Sequence, residues 1–170
     1  MTSWPPQSPA TVNNIPAIGY RVINGRIWWL QIYPYWKHFS AARSTATRTG
    51  SHVVPPLLSK RGGKGVYFTD DASLQGMQDE MDFARRAGLS QSSAQACYLY
   101  GCVVVAFDTA AFYSDIMIPT PHSTCRPGLT VGGAREWLIP SNVPVYLDEQ
   151  MTVMCYHSGR LGHVSFDLVL

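Results

Sequence analysis

Residues 98–107 read Tyr-Leu-Tyr-Gly-Cys-Val-Val-Val-Ala-Phe, and the reading of this run decides the fold. It is almost wholly apolar, too short for an ordinary helix, and β-branched at its centre through Val103, Val104 and Val105. Branched side chains crowd a helix at Cβ but fit a pleated surface. A run without polar alternation belongs to a strand covered on both faces. The sequence therefore predicts a central strand over 98–107.

Upstream, Ile18 to Asn24 reads as a second strand, ended by the turn dipeptide Asn24-Gly25. Downstream, Asp108 to Phe112 predicts one helical turn, and prolines 119, 121 and 127 mark a loop that runs to Gly132-Gly133. Short strands follow over 135–139, 143–147, 151–156 and 164–170, separated by Ser-Asn, Asp-Glu and Ser-Gly turns.

Between the first two strands, Gly62-Gly63-Lys64-Gly65 leads into Val66-Tyr67-Phe68-Thr69. Asp70 or Asp71 then caps a helix, because a short carboxylate accepts the unpaired amide protons of a first turn. Leu74, Met77, Met81 and Ala84 recur at steps of three, four and three, which gives that helix one apolar face. Arg85 and Arg86 suit its negative end, and Gly88 supplies a left-handed stop. A strand, then helices, then mostly strands make an α+β domain with antiparallel sheets.

Two stretches read less directly. Trp28, Trp29, Tyr33, Tyr35, Trp36 and Phe39 are spaced for a helix or a buried strand, and Pro34 interrupts both. So many aromatics belong in a core, with an interaction surface as the alternative. Residues 40–51 are polar and rich in hydroxyls, with Arg43, Arg48 and the neighbouring His52, and predict a long functional loop. Residues 1–16, rich in Pro, Ser and Asn, predict an extended arm laid on one domain over 17–170.

Composition narrows the chemistry. Of 170 residues 46% are apolar and 14% charged, which opposes disorder and coiled coil. Thirteen basic against eleven acidic residues give +2 with no run of one sign, so nothing points to nucleic acid or a membrane. No apolar segment is long enough to span a bilayer, and the first residues lack a signal-peptide pattern. A cytoplasmic protein is expected, with a secreted effector as the alternative. Cys97, Cys102, Cys125 and Cys155 form no C-x-x-C pair and read as core thiols, with one disulfide left open. His38, His52, His122, His157 and His163 are scattered, so no metal site is expected. There is no G-x-S-x-G elbow and no P-loop. Of the three glutamates, Glu80 sits on the wet face of its helix and Glu149 lies in a turn. Glu136 opens the apolar strand Trp137-Leu138-Ile139 after a Gly-Gly approach, where a carboxylate is well held and can face a cleft.

Gly63-Lys64-Gly65-Val66-Tyr67-Phe68-Thr69-Asp70 resembles the glycine-lysine-glycine, tyrosine-phenylalanine segment of H-Y-E-type ADP-ribosyltransferases. Arg135-Glu136-Trp137-Leu138-Ile139 is similar to that family's acid strand, and the resemblance spans about Tyr20 to Met154. It implies an ADP-ribosyltransferase-like fold of two packed antiparallel-rich sheets with flanking helices, and NAD as substrate. It also implies an unidentified acceptor, whether protein, nucleic acid or small molecule. Glu136 would be catalytic and bond the nicotinamide ribose, and Tyr67 would stack on the nicotinamide ring, with Phe68 and Trp137 as further aromatic faces. Gly65 and Tyr20 flank these positions in the same NAD-binding set. Where that branch has a histidine, Gly19-Tyr20-Arg21-Val22 offers Arg21, as in the R-S-E toxin branch, where the arginine contacts the dinucleotide phosphates. Ser44-Thr45 is a displaced counterpart of that branch's hydroxyl motif, and Ala134 stands where it has an acid or Gln. The layout also resembles R-E-S toxins, which destroy NAD by hydrolysis or phosphorolysis; Glu80 or Glu136 would then carry the acidic role. A binding or effector module with a decayed NAD site is the third reading.

Overall fold

The computed structural model describes residues 15–58, 65–75, 80–119, 130, 132–148, 150–157 and 160–164. Strand β1 (Ile18–Asn24) leads into helix α1 (Gly25–Ile27), a π-helical segment (Trp28–Ile32) and helix α2 (Tyr33–Thr49). Strand β2 (Gly65–Phe68) follows, then helices α3 (Asp71–Leu74), α4 (Glu80–Arg86) and α5 (Gln91–Tyr100). Strand β3 (Cys102–Asp108), a 3₁₀ turn (Ala110–Phe112) and strands β4 (Trp137–Pro140), β5 (Thr152–His157) and β6 (Arg160–Val164) complete the order.

The strands form a four-stranded sheet, β1-β3-β5-β6, and a two-stranded one, β2-β4, with every pair antiparallel. Tyr20 and Thr69 exchange backbone hydrogen bonds of 2.9 Å, which ties β1 to the end of β2. The α+β expectation with two antiparallel sheets therefore holds.

Alternation along β1 sends successive side chains to opposite faces. Ile23 joins a core shared by both sheets, with Val103, Val105 and Phe107 of β3 and Val66, Phe68, Trp137 and Ile139 of β2 and β4. Tyr20 and Val22 face the helices, with Leu74, Ala84, Cys97, Val104 and Ala106. Each fully buried aliphatic side chain of this kind stabilises by about 1.5–3 kcal/mol. Val103–Val105 are buried as a strand covered on both faces must be. Trp28 and Trp36 are buried too, so the aromatic run is largely core.

Several expectations need correction. The run over 98–107 divides at Gly101: Tyr98, Leu99 and Tyr100 are the exposed last turn of α5, and only Cys102 onward is strand. Ser90 caps α5 by accepting the Ser93 N–H, a local signal that the apolar run outweighed in the reading. Residues 40–51 are not a loop, because α2 continues to Thr49. Pro34 stands at its first positions, where a missing N–H costs nothing. Thr45, Thr47 and Thr49 satisfy their hydroxyls on carbonyls four residues back. Asn24 does not end β1 in a turn but caps α1, accepting the Ile27 N–H at 3.0 Å.

Asp70 caps as expected, yet α3 stops at Leu74 and α4 restarts at Glu80, so there is no single helix to Gly88. Met77 lies outside the described residues, as do the side chains of Glu80 and Met81. Residues 143–147 form no strand, only a bridge from Tyr146 to Leu57. The last strand among the described residues is Arg160–Val164; 165–170 lie outside the described residues, as do 1–14 of the expected arm and 120–129 of the Pro-rich loop. Ile15 and Pro16 belong to the folded body: Ile15 is buried, and Thr109 donates its hydroxyl to the Pro16 carbonyl at 2.5 Å. Cys97 and Cys102 are buried and Cys155 is half-buried; Cys125 lies outside the described residues.

Candidate functional site

The site grows from the corner where β1 meets β2. Arg21 shares a strand face with Ile23, an expensive place for a cation. One of its terminal nitrogens donates to the Tyr67 backbone carbonyl at 3.1 Å. Its Nε is buried and has no hydrogen-bond partner. Burial pulls the guanidinium down to about 10, while the charges of Glu136 and Tyr67 pull the other way. At neutral pH it stays cationic.

Glu136 comes to the same place from far along the chain. Phe68 pairs with Trp137 and Tyr67 with Leu138, so the β2-β4 ladder delivers Glu136 just beyond its last pair. The carboxyl is half-buried. Burial raises it above the ordinary glutamate range, and the Arg21 cation partly offsets that rise. Each charge thus favours the ionised form of the other. Tyr67, half-buried on β2, completes the group.

Other expected site residues are placed differently. Phe68 and Trp137 are only 2% and 3% exposed, stacked on one another at 5.8 Å, with Phe107 edge-on to Phe68 at 5.2 Å. Their rings are core and offer no face to a ligand. Tyr20 projects from the opposite face of β1 to Arg21, among the helices; burial first and the Asp71 charge second push its phenol up to about 12. Gly65 serves the sheet: a Cβ there would stand 2.2 Å from the Ile139 carbonyl oxygen. Ser44 is exposed on α2, which belongs to neither sheet. Glu149 lies outside the described residues.

The sequence reading did not find the groups that brace Glu136. Asp70, fully buried, forms an ion pair with Arg135, whose guanidinium lies 5.6 Å from the centre of the Trp137 ring. The Arg135 N–H donates to Ser73 Oγ at 3.0 Å. Nothing local announces a pairing between residues so far apart. Near this brace, a cavity of about 440 Å³ is lined by Ala72, Ser73, Arg86, Gly132, Gly133 and Ala134, not by Arg21, Tyr67 or Glu136.

Chemically, the corner offers a held carboxylate, a cation with an unmet donor, and an aromatic ring. Among the described residues no cluster of His, Cys, Asp and Glu could hold a metal, and no helix is long and apolar enough to cross a membrane. No protein-family model, curated protein or solved structure matches the chain.

Proposed function

We propose that the chain consumes NAD, cleaving the bond between nicotinamide and ribose and passing ADP-ribose to an acceptor. The observation that carries this reading is geometric: Arg21 donates to the Tyr67 carbonyl at 3.1 Å, and the ladder that pairs Tyr67 with Leu138 sets Glu136 just beyond its end. The β2-β4 ladder and the bridge from Tyr20 to Thr69 bring the segments that carry Glu136, Tyr67 and Arg21 towards one corner, which supports the reading.

Breaking the C1′–N1 bond sends its electron pair to nicotinamide and leaves positive charge on the ribose, as in glycoside cleavage. An ionised Glu136 stabilises that charge where it develops. The Arg21 cation draws the pyrophosphate to this corner, the charge-assisted recognition that suits a guanidinium. The Tyr67 ring supports the flat leaving group. An acceptor oxygen then attacks C1′, forming the new C–O bond, and its proton passes to solvent water.

Hydrolysis, with water as that acceptor, is favoured by one feature. Ala134, two residues before Glu136, is 2% exposed and bound through its N–H to Thr130 Oγ1 at 3.0 Å. A buried methyl there cannot direct a macromolecular acceptor.

The test is nicotinamide release from NAD by the purified protein and by Glu136→Gln. Loss of a preorganised electrostatic group costs about 10²–10³ in rate, so release should fall by at least about a hundredfold. Equal release by the variant, or no release by the folded protein with or without cell-extract acceptors, would defeat the proposal. ADP-ribose appearing free in solution, with no labelled macromolecule, would assign hydrolysis.

A further inference from the structure

We infer that Asp70 and Ser73 are positioning residues for Glu136, acting through Arg135; this rests on reading Glu136 as the reactive carboxylate. A helix cap needs one acceptor oxygen, and Asp70 Oδ1 supplies it by taking the Ser73 N–H at 2.8 Å. Asparagine caps as well as aspartate does. A fully buried carboxylate is a costly way to cap a four-residue helix. The second oxygen explains the choice, because Oδ2 meets the Arg135 guanidinium. Arg135 is thereby fixed at both ends: its head by Asp70 and the Trp137 ring, its backbone N–H by Ser73 Oγ. On the other side of Glu136, Trp137 is fixed by its pairing with Phe68.

Glu136 is thus clamped through both chain neighbours. That arrangement keeps its carboxylate available, since a glutamate held by its own hydrogen bonds would have spent its oxygens. It also keeps Arg135 away from it. A cation one residue along, if released from Asp70, would swing towards the nearest carboxylate and compete with Arg21 for it. The brace therefore sets both the place of Glu136 and the charge it sees, with Arg21 from β1 and Tyr67 from β2 as its other titratable neighbours.

The experiment follows the Glu136 side-chain carboxyl by carbon-13 NMR across pH in the full chain and in Asp70→Asn, which keeps the cap and removes the ion pair. In Asp70→Asn the Glu136 midpoint should fall towards the ordinary glutamate value, as Arg135 is released and water reaches the carboxyl. In parallel, kcat for nicotinamide release should drop about tenfold, the lower end of losses seen when supporting groups are removed, with KM for NAD unchanged. Arg135→Lys, which retains a cation for Asp70, should keep most of the parent rate and leave the Glu136 midpoint close to the parent's. Should Asp70→Asn fail to fold, Ser73→Ala removes the backbone anchor alone and should move the midpoint in the same direction. An unmoved Glu136 midpoint in folded variants overturns the inference even if NAD is turned over. A moved midpoint with no nicotinamide release from any form keeps the brace and removes the NAD reading.

Discussion

Replacing Gly65 by alanine puts the β2-β4 ladder, and with it the placement of Tyr67 and Glu136, under direct test. The new methyl carbon would stand 2.2 Å from the Ile139 carbonyl oxygen and 3.1 Å from both Cα and the carbonyl carbon of Pro140. A carbon–oxygen contact is comfortable only near about 3.3 Å, so one strand must retreat by roughly 1 Å. That retreat stretches the last ladder hydrogen bond beyond use, a loss of about 1 kcal/mol. Gly65 also has φ +132°, which an L side chain adopts only at a cost of about 1–3 kcal/mol. Together the two terms predict a destabilisation of about 2–4 kcal/mol. For a chain of this length each kcal/mol moves the melting temperature by about 2–4 °C, so Tm should fall by roughly 10 °C. Gly50→Ala is the control, because Gly50 has φ +73° but open space where its Cβ would go. It bears the left-handed cost alone, about 1–2 kcal/mol. Thermal melts followed by circular dichroism decide the matter. A Gly65→Ala melt no lower than that of Gly50→Ala would mean that β4 does not approach β2 as described.

Three further results are expected. Because the folded pKa of Glu136 lies above its unfolded value, the native state binds more protons across that interval, and stability is lost as pH rises through it. Glu136→Gln should therefore be more stable than the parent at pH 7, with the advantage gone below the ordinary glutamate pKa; urea midpoints at pH 7 and pH 3.5 that differ equally would refute this. Leu99→Ser should leave stability within about 0.5 kcal/mol, since Leu99 is exposed on α5, whereas a buried strand residue would not tolerate it. Val105→Ala should cost about 2–3 kcal/mol in the same urea assay, because Val105 is fully buried between β1 and β5; a small loss would displace β3 from the centre of its sheet.

What the sequence makes legible is what short-range chemistry decides. The bounds of β1, the Asp70 cap, the turn after Asp108 and the left-handed Gly88 each depend on residues within a few positions. The helix over 33–49 is hidden because its hydroxyls mimic loop composition, and because Pro34 is harmless in a first turn and disruptive only later. The last turn of α5 is hidden for the opposite reason. Tyr98, Leu99 and Tyr100 carry apolar side chains into solvent, and run without a break into the buried valines of β3. Periodicity cannot separate an exposed apolar turn from the strand that follows it when the only punctuation is one glycine.

The candidate site lies at the limit of that legibility. The strands β1 and β2 that carry Arg21 and Tyr67, and the strand β4 that Glu136 precedes, can be found one at a time, but their meeting requires β2 to pair with β4 along its length and Thr69, just after β2, to touch β1 at Tyr20. Aromatic identity misleads here, since a ring useful to a ligand and a ring useful to a core look alike in sequence; Phe68 and Trp137 prove to be the second kind. What separates the proposed reactive group from the scaffold is the sign of its energetics. Burial works against the charge of Arg21 and against the charge of Glu136, and their mutual attraction offsets only part of each penalty. A hydrophobic pair of similar size would fill the corner at less cost. Two opposite charges kept where stability alone would not keep them are the ground for placing the proposed chemistry at this corner.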